Sequence, residues 1–597
     1  MRDEDGSLDT GIIARLSINR AEFMSPRSMG KPFDELAKDL TDRLLSWDPA
    51  LATQVGWHKY DRILRDPSRR ALEYQVKKLK EFVRIMEQYS DADLSEEQRI
   101  DRDLALHIFK LKLFEISELK LYTHCSFAAD EIGNSLFFLF VRDVPPYVER
   151  IESIVWRIER IPRYLEKSKE TLNDPYYLWN EVSLEAGRAL PSLINEIRKS
   201  IRSNYPDPAL ETRASRATEV AVSAIEAYNS WLQNEILPIS SPRFTVTPSE
   251  YETYLGMKGF DVTKAEILEI GRKYLIAARR GMEDASRSLS MGNVDEAIER
   301  MRSEHPPSFS AIIEEYRRSA ALARSFVVER KLATVPEREH LKMMETPEFM
   351  RPVAPLAGQF EPGKFDNSMT GLFILTPDES NPGLMKEHSY AVIGNTTAHE
   401  AYPGHHLQGL CSNRNPSWIR TLISSPEFSE GWGLYSEELM LSEGYNDNPM
   451  GRLANLNDFV FRLCRQIAEV DLPSGATTLD EATEMLRKEC HMDPAASRVE
   501  IRSCAMNPTY YIAYFIGMLA ILQLRDDVKA ALGKKFTLKF FHDSLLYAGC
   551  MPMSFMRRAM ALRVKQEFGI DLGPPRESLY RYAMKRASAS GPSTLPS

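Results

Sequence analysis

The sequence predicts a mostly α-helical fold, and three observations predict it. Long stretches repeat apolar residues at i, i+3 and i+4, and strand-like sequence is confined to one short region. The chain of 597 residues is also 43% apolar and 10% aromatic, enough material for a large core.

Taken in order, "FDELAKDLTDRLLSWDP" (33–49), "ALEYQVKKLKEFVRIMEQYS" (71–90), "YVERIESIVWRIERIPRYLEKSKETL" (147–172) and "TEVAVSAIEAYNSWLQNEIL" (218–237) read as amphipathic helices that each bury one stripe. Strands are expected at "GLFILT" (371–376) and "SYAVIGN" (389–395), flanking a turn region rich in Pro, Gly and Asp, as a small β-hairpin or edge pair. The longest apolar run, "YYIAYFIGMLAIL" (510–522), falls short of the roughly 20 residues that span a bilayer and reads as a buried helix. No internal repeat and no linker divides the chain, so residues 31–585 are expected to form a single domain. Residues 1–30 and 586–597 are expected to be disordered or loosely packed.

The formal net charge of −9 argues against a nucleic-acid partner, which needs a basic face. The acidic opening "MRDEDGSLDT" lacks the apolar core of a secretory signal. Six scattered cysteines, with no CxxC pair, suggest a reducing compartment. Together these lead to the expectation of a cytoplasmic protein without a membrane partner; they do not address its oligomeric state.

The chemistry concentrates in "TTAHEAYPGHHLQ" (396–408), where three of the eleven histidines fall within eight positions. A helical zinc site usually carries histidines at i and i+4, one turn apart, with a glutamate beside the first. His399 and Glu400 supply the first half, but position 403 is proline, and the next histidines are His405 and His406. On a regular helix i+6 lies roughly 120° around and i+7 about 10 Å along, so neither shares an ion with His399 unless the helix deforms. Pro403 and Gly404 allow that: proline removes an N–H and crowds the carbonyl of residue 399, and glycine tolerates the compensating angles. A two-residue bulge would bring His405 to the usual i+4 place. The competing reading is ordinary: Thr397 followed by Glu400 fits a capping box, and clustered histidines also occur as polar surface.

The third ligand is expected at Glu430 in "SEGWGLYSEELML" (429–441), on an antiparallel return helix whose Gly431 and Gly433 permit close approach. Two imidazoles, one carboxylate and an open fourth position make a catalytic zinc arrangement, with one Zn2+ per chain. Glu437 lies on the same helix face and is a candidate to hold a ligand histidine; the alternative is an exposed helix charge.

"HEAYPGHHLQ" followed by "EGWGLYSEEL" resembles the domain of unknown function 885 family, whose members are similar to helical gluzincin metallopeptidases. The resemblance runs from residue 33 to residue 555. It implies two helical lobes around a central cleft, with the metal helices on its floor. Such peptidases end the metal motif with a Gly-His pair, which implies Gly404-His405 and hence His405 rather than His406 as second ligand. His406 would then face substrate or support a ligand. "EIRSCAMNPTYYIAYFIG" (500–517) resembles the family's segment with an arginine, a proline and a Tyr-x-x-Gly; Arg502 and Tyr514 match it, while Tyr510 stands where glutamine is common. A tyrosine there donates to a developing oxyanion, so Tyr514 is the first candidate and Tyr510 the second. Core packing is the plain alternative for either ring. Arg502 would bind a substrate carboxylate or form a structural ion pair.

The function these readings support is a zinc-dependent hydrolase, a metallopeptidase for short peptides, with Glu400 as the proton acceptor for the attacking water. Segment 389–395 would pair with an extended substrate backbone. The alternatives are a hydrolase of non-peptide amides or esters, and a non-catalytic helical metal-binding scaffold. A di-iron bundle would need two Glu-x-x-His motifs and is set aside.

Overall fold

A computed structural model describes residues 32–142, 147–205, 207–351, 357–376 and 385–589. The expected loose segment 1–30 lies outside the described residues, as do 590–597. Residues 586–589, expected to belong to the loose tail, close a helix over Leu579–Ala589.

The molecule is mostly helical, as its periodicity predicts. The helix Phe33–Trp47 buries Phe33, Leu36, Leu40 and Leu44, one stripe at three- and four-residue spacing. Arg69–Met86 starts where the Ser68 side chain accepts from the Ala71 N–H. The stretch 147–172 is two helices, Tyr147–Ile158 and Ile161–Ser168, because Pro162 suits only the first turn of a helix. Buried side chains gather into two main cores. The smaller is built from Leu64 and residues between 128 and 236; the larger takes most of the remaining chain and carries the histidine cluster.

The sheet has three strands: β1 (Glu339–Glu345), β2 (Ala357–Phe360) and β3 (Met369–Leu375). Their order is β1-β3-β2, with β3 parallel to β1 and antiparallel to β2. β3 is the expected strand, and its run from Gly371 to Leu375 is buried without alternation because it is the central strand.

The second expected strand is a helix. Residues 389–395 open α2 (Tyr390–Glu400), which follows α1 (Phe309–Glu329) among the helices around the sheet. Ser389 caps α2 by accepting from the Val392 N–H, and burial of Ile393, Gly394, Asn395, Thr397, Ala398 and His399 removes the one-sided stripe that normally reveals a helix. Substrate pairing by a strand at 389–395 is therefore excluded.

Five helices complete the region: α3 (His405–Ser412), α4 (Pro426–Ser442), α5 (Pro449–Ser474), α6 (Pro494–Met506) and α7 (Ile512–Leu532). The apolar run at 510–522 lies largely in α7 and is buried, and among the described residues no helix is long and apolar enough to cross a membrane. α4 and α7 pack through Gly431 and Gly517. A Cβ at 431 would sit 2.5 Å from the Gly517 carbonyl carbon, and one at 517 would sit 1.9 Å from the Glu427 oxygen. That close approach brings the carboxylates of α4 and the tyrosines at the start of α7 to one place.

Candidate metal centre

His399 and Glu400 end α2, and His405 begins α3. Between them Ala401, Tyr402, Pro403 and Gly404 form a clean break in the helix instead of the expected two-residue bulge. The backbone leaves the helix at Ala401 with φ −109° and ψ −83°. The turn is held by α4: Trp432 Nε1 donates to the Pro403 carbonyl at 2.9 Å. Glycine is required at its end, since a Cβ on Gly404 would lie 1.7 Å from the His399 oxygen. Because α2 begins at Tyr390, Thr397 lies inside the helix, and the capping-box reading of Glu400 does not apply.

The break turns the two imidazoles edge to face, with ring centroids 4.7 Å apart. Glu430 Oε2 stands 3.6 Å from His399 Nε2 and 3.4 Å from His405 Nε2. One ligand atom from each of the three residues lies within 4.8 Å of the others. Ligands about 2.1 Å from a shared ion at tetrahedral angles stand about 3.4 Å apart, so the Glu430 contacts fit a small divalent ion. Nitrogen and oxygen donors in that number fit zinc.

His399 is oriented from behind. Its Nδ1 lies 2.7 Å from Glu437 Oε1, and Glu437 also accepts from Asn395 Nδ2 at 2.7 Å and from Arg462 Nη2 at 3.3 Å. This leaves Nε2 facing Glu430. Gly433 makes room for the ring, as a Cβ there would lie 2.5 Å from His399 Cε1. Burial works against charge on His399, but Glu430 and Glu437 outweigh it and lift the imidazole to about 10. His405 is raised in the same sense, burial again opposing and Glu430 prevailing. Burial likewise opposes charge on Glu430, yet the two imidazoles hold its carboxyl well below the ordinary range. The geometry thus concentrates a demand for positive charge beside Glu430.

A cavity of about 260 Å³ opens beside the cluster, and His399, Glu400, Tyr510 and Tyr514 all line it. Glu400 Oε2 is buried there without a hydrogen-bond partner among the described residues. Such an orphaned oxygen is costly unless a ligand or water satisfies it. Tyr510 donates to Glu430 Oε1 at 2.6 Å, so it is engaged with a candidate ligand. Tyr514 stacks near His399, with centroids 6.1 Å apart. Burial first, and the Glu430 charge second, push both phenols above the ordinary tyrosine range, so both are hydrogen-bond donors.

Two of the sequence candidates lie elsewhere. Arg502 pairs with Glu181 at 3.3 Å and Glu185 at 3.0 Å, on the helix Tyr177–Asn204, and does not line the cavity. Its contacts are those of a structural ion pair. His406 is fully buried with Nε2 3.0 Å from Glu339 Oε2, so it ties α3 to β1 and is turned away from the cluster.

Several residues at the site escaped the motif reading: Asn395, Asp458, Arg462 and Arg465. Asn395 sits one helical turn before His399, a spacing that places it on the same face. The other three recur at i, i+4 and i+7 in the otherwise apolar "NDFVFRLCRQ" (457–466), a polar stripe on a helix with little exposed surface. That stripe was the available signal.

The chain matches the family described as "Bacterial protein of unknown function (DUF885)" over residues 49–560. Among curated proteins no match is found. Two solved structures share the fold. One is a candidate lipoprotein of unknown function from Shewanella oneidensis, 20% identical, with a TM-score of 0.73 over 89% of this chain and 100% of that one. The other is a candidate lipoprotein from Colwellia psychrerythraea, 17% identical, with a TM-score of 0.78 over 90% of this chain and 99% of that one. These neighbours correct the expectation of a cytoplasmic protein, because lipoproteins are membrane-anchored or secreted. The cysteines do not oppose the correction: all six are buried and free, and a buried thiol packs as a small apolar group whatever the compartment.

Proposed function

We propose that this chain, which belongs to the DUF885 family, is a zinc-dependent hydrolase that cleaves peptide bonds in short peptides. One observation carries the proposal: His399, His405 and Glu430 converge beside a cavity lined by His399 and Glu400, and one carboxylate oxygen of Glu400 is buried without a hydrogen-bond partner among the described residues. A structural metal site would be closed by a fourth protein ligand and would have no use for a free base.

His399, His405 and Glu430 would hold the ion, with Glu437 fixing the His399 ring. A bound zinc ion would polarise the scissile carbonyl and lower the pKa of a water molecule. Glu400 accepts the proton of the attacking water and returns it to the leaving nitrogen. Tyr514 donates to the oxygen that becomes negative in the tetrahedral state, since its hydroxyl is protonated and the residue lines the same cavity. Tyr510 is occupied with Glu430 and serves to orient that ligand. The resemblance of the motifs "HEAYPGHHLQ" and "EGWGLYSEEL" to those of helical metallopeptidases is what favours peptide bonds as the target; the same residues would also serve a non-peptide amide or ester, because fold and metal do not fix the acyl group.

The test is hydrolysis by the zinc-loaded protein of short peptides beside N-acyl amides and esters of matched size. The proposal expects peptide cleavage that falls about 10²- to 10⁴-fold in Glu400→Gln while zinc is retained. Turnover of the amides or esters alone would reassign the substrate. Full activity in Glu400→Gln would remove the base from the mechanism.

A further inference from the structure

We propose that Arg465 receives the free α-carboxylate of the substrate, so that the site acts at the carboxyl end of a peptide; this rests on the peptidase reading above. Arg465 lies on α5, is only 6% exposed and lines the same cavity as His399 and Glu400. Its guanidinium carbon stands 3.9 Å from the Phe461 ring centroid, 4.7 Å from Tyr511 and 4.8 Å from Tyr514. Its one hydrogen bond among the described residues runs from Nη1 to Glu500 Oε2 at 3.1 Å. Nε is buried and has no hydrogen-bond partner among the described residues. Glu500 therefore leaves the Nε and Nη2 edge of the fork open, and that edge binds a carboxylate through two parallel hydrogen bonds.

The other cations of the cavity are committed or peripheral. Arg302 forks onto both oxygens of Glu387, at 2.8 and 3.0 Å, and donates to the His491 carbonyl. Arg462 is held by Glu437 and Asp458. Lys386 is exposed. Arg462 shares an orphaned Nε, but both its Nη atoms are engaged, whereas Arg465 keeps Nη2 as well as Nε without a protein acceptor among the described residues, and a buried unpaired donor is a binding group in search of an acceptor.

Its position suits a terminus. The Tyr514 ring carries the Arg465 guanidinium on one contact and the His399 imidazole on another, so a single aromatic ring separates the carboxylate pocket from the proposed metal ligand. A gap of that order is crossed by one or two extended residues at about 3.3–3.6 Å each. The cavity volume of about 260 Å³ lies at the small end for ligand sites, a size that suits the short end of a peptide.

The experiment uses the zinc-loaded full chain and pairs of peptides that differ only in a free or amidated carboxyl terminus, with products identified by mass. The free acid is expected to be cut within two residues of its carboxyl end, with kcat/KM at least about tenfold above that of the amide. In Arg465→Lys, which keeps the charge but loses the fork, KM for the free acid rises and the acid-to-amide ratio falls toward one. Equal cleavage of acid and amide by the wild type, abolished in Glu400→Gln, would overturn this assignment and leave the peptidase reading standing. Cleavage of neither peptide would overturn both.

Discussion

His399 shows how much one side chain at this site depends on others. Its Nδ1 faces Glu437, its ring rests over Gly433, and its Nε2 faces Glu430. Glu437→Gln keeps the shape and can still accept from Nδ1–H but gives up the charge, so metal affinity is expected to fall about 10- to 100-fold with the fold intact. A metal titration showing unchanged affinity would contradict that role. At this scale much was legible in the sequence. His399, Glu400 and Glu430 follow from residue type and spacing, and the Pro-Gly pair announces that the helix cannot continue. What was not legible is which partner each side chain takes. Arg502 and Arg465 are both arginines near tyrosines in a helical chain, yet Arg502 meets Glu181 and Glu185 while Arg465 meets the cavity. Contacts that join residues hundreds of positions apart leave no local pattern.

At the scale of elements, the site depends on two helices meeting without side chains between them. Gly517→Ala places a methyl group against the Glu427 carbonyl, so α4 and α7 must separate and Glu430 must move relative to α2. Overpacking of this kind costs about 1–3 kcal/mol, and both thermal stability and metal affinity are expected to fall. A stability change without a change in metal affinity would mean that the helix spacing does not position Glu430. Outlying amphipathic helices such as Phe33–Trp47 were readable because one face meets water and the other does not. The start of α2 was hard to read for the opposite reason: most of its length is buried, which erases the stripe and makes 389–395 look like a strand, whereas α4, buried still more fully, is a helix as its motif led us to expect.

A third prediction concerns how the sheet and the motif are joined. Glu339 on β1 accepts from Tyr402 at 2.6 Å and Arg324 at 2.7 Å, and it lies 3.0 Å from His406. Burial works against its charge, but His406, Tyr402 and Arg324 prevail and bring the carboxyl down to about 2. A folded-state value below the ordinary 4.5 contributes stability that is present above pH 4.5 and lost as pH falls toward 2. Glu339→Gln should therefore be less stable at neutral pH and lose less stability between pH 4.5 and 2, as followed by thermal midpoints. Identical acid profiles would contradict the linkage.

For the molecule as a whole, the helical class followed from periodicity and β3 from its apolar run, while β1, β2 and the parallel pairing of β1 with β3 did not, because neither β1 nor β2 carries a strand-like apolar run of its own. The two cores are a property of the same kind: each is a sum of stripes, and only their packing decides which stripes share an interior. The compartment was misread for a different physical reason, since free cysteines buried in a core do not sense the redox state outside it.

The central claim is that α2, α3 and α4 together hold one catalytic zinc ion. Elemental analysis of the purified protein after dialysis against a weak chelator tests it most directly. The prediction is close to one zinc per chain in the wild type, in Glu400→Gln and in His406→Gln, and its loss in His399→Ala, His405→Ala and Glu430→Ala. A well-folded wild type that retains no metal, or zinc that persists when His405 is removed and disappears when His406 is changed, would contradict the account.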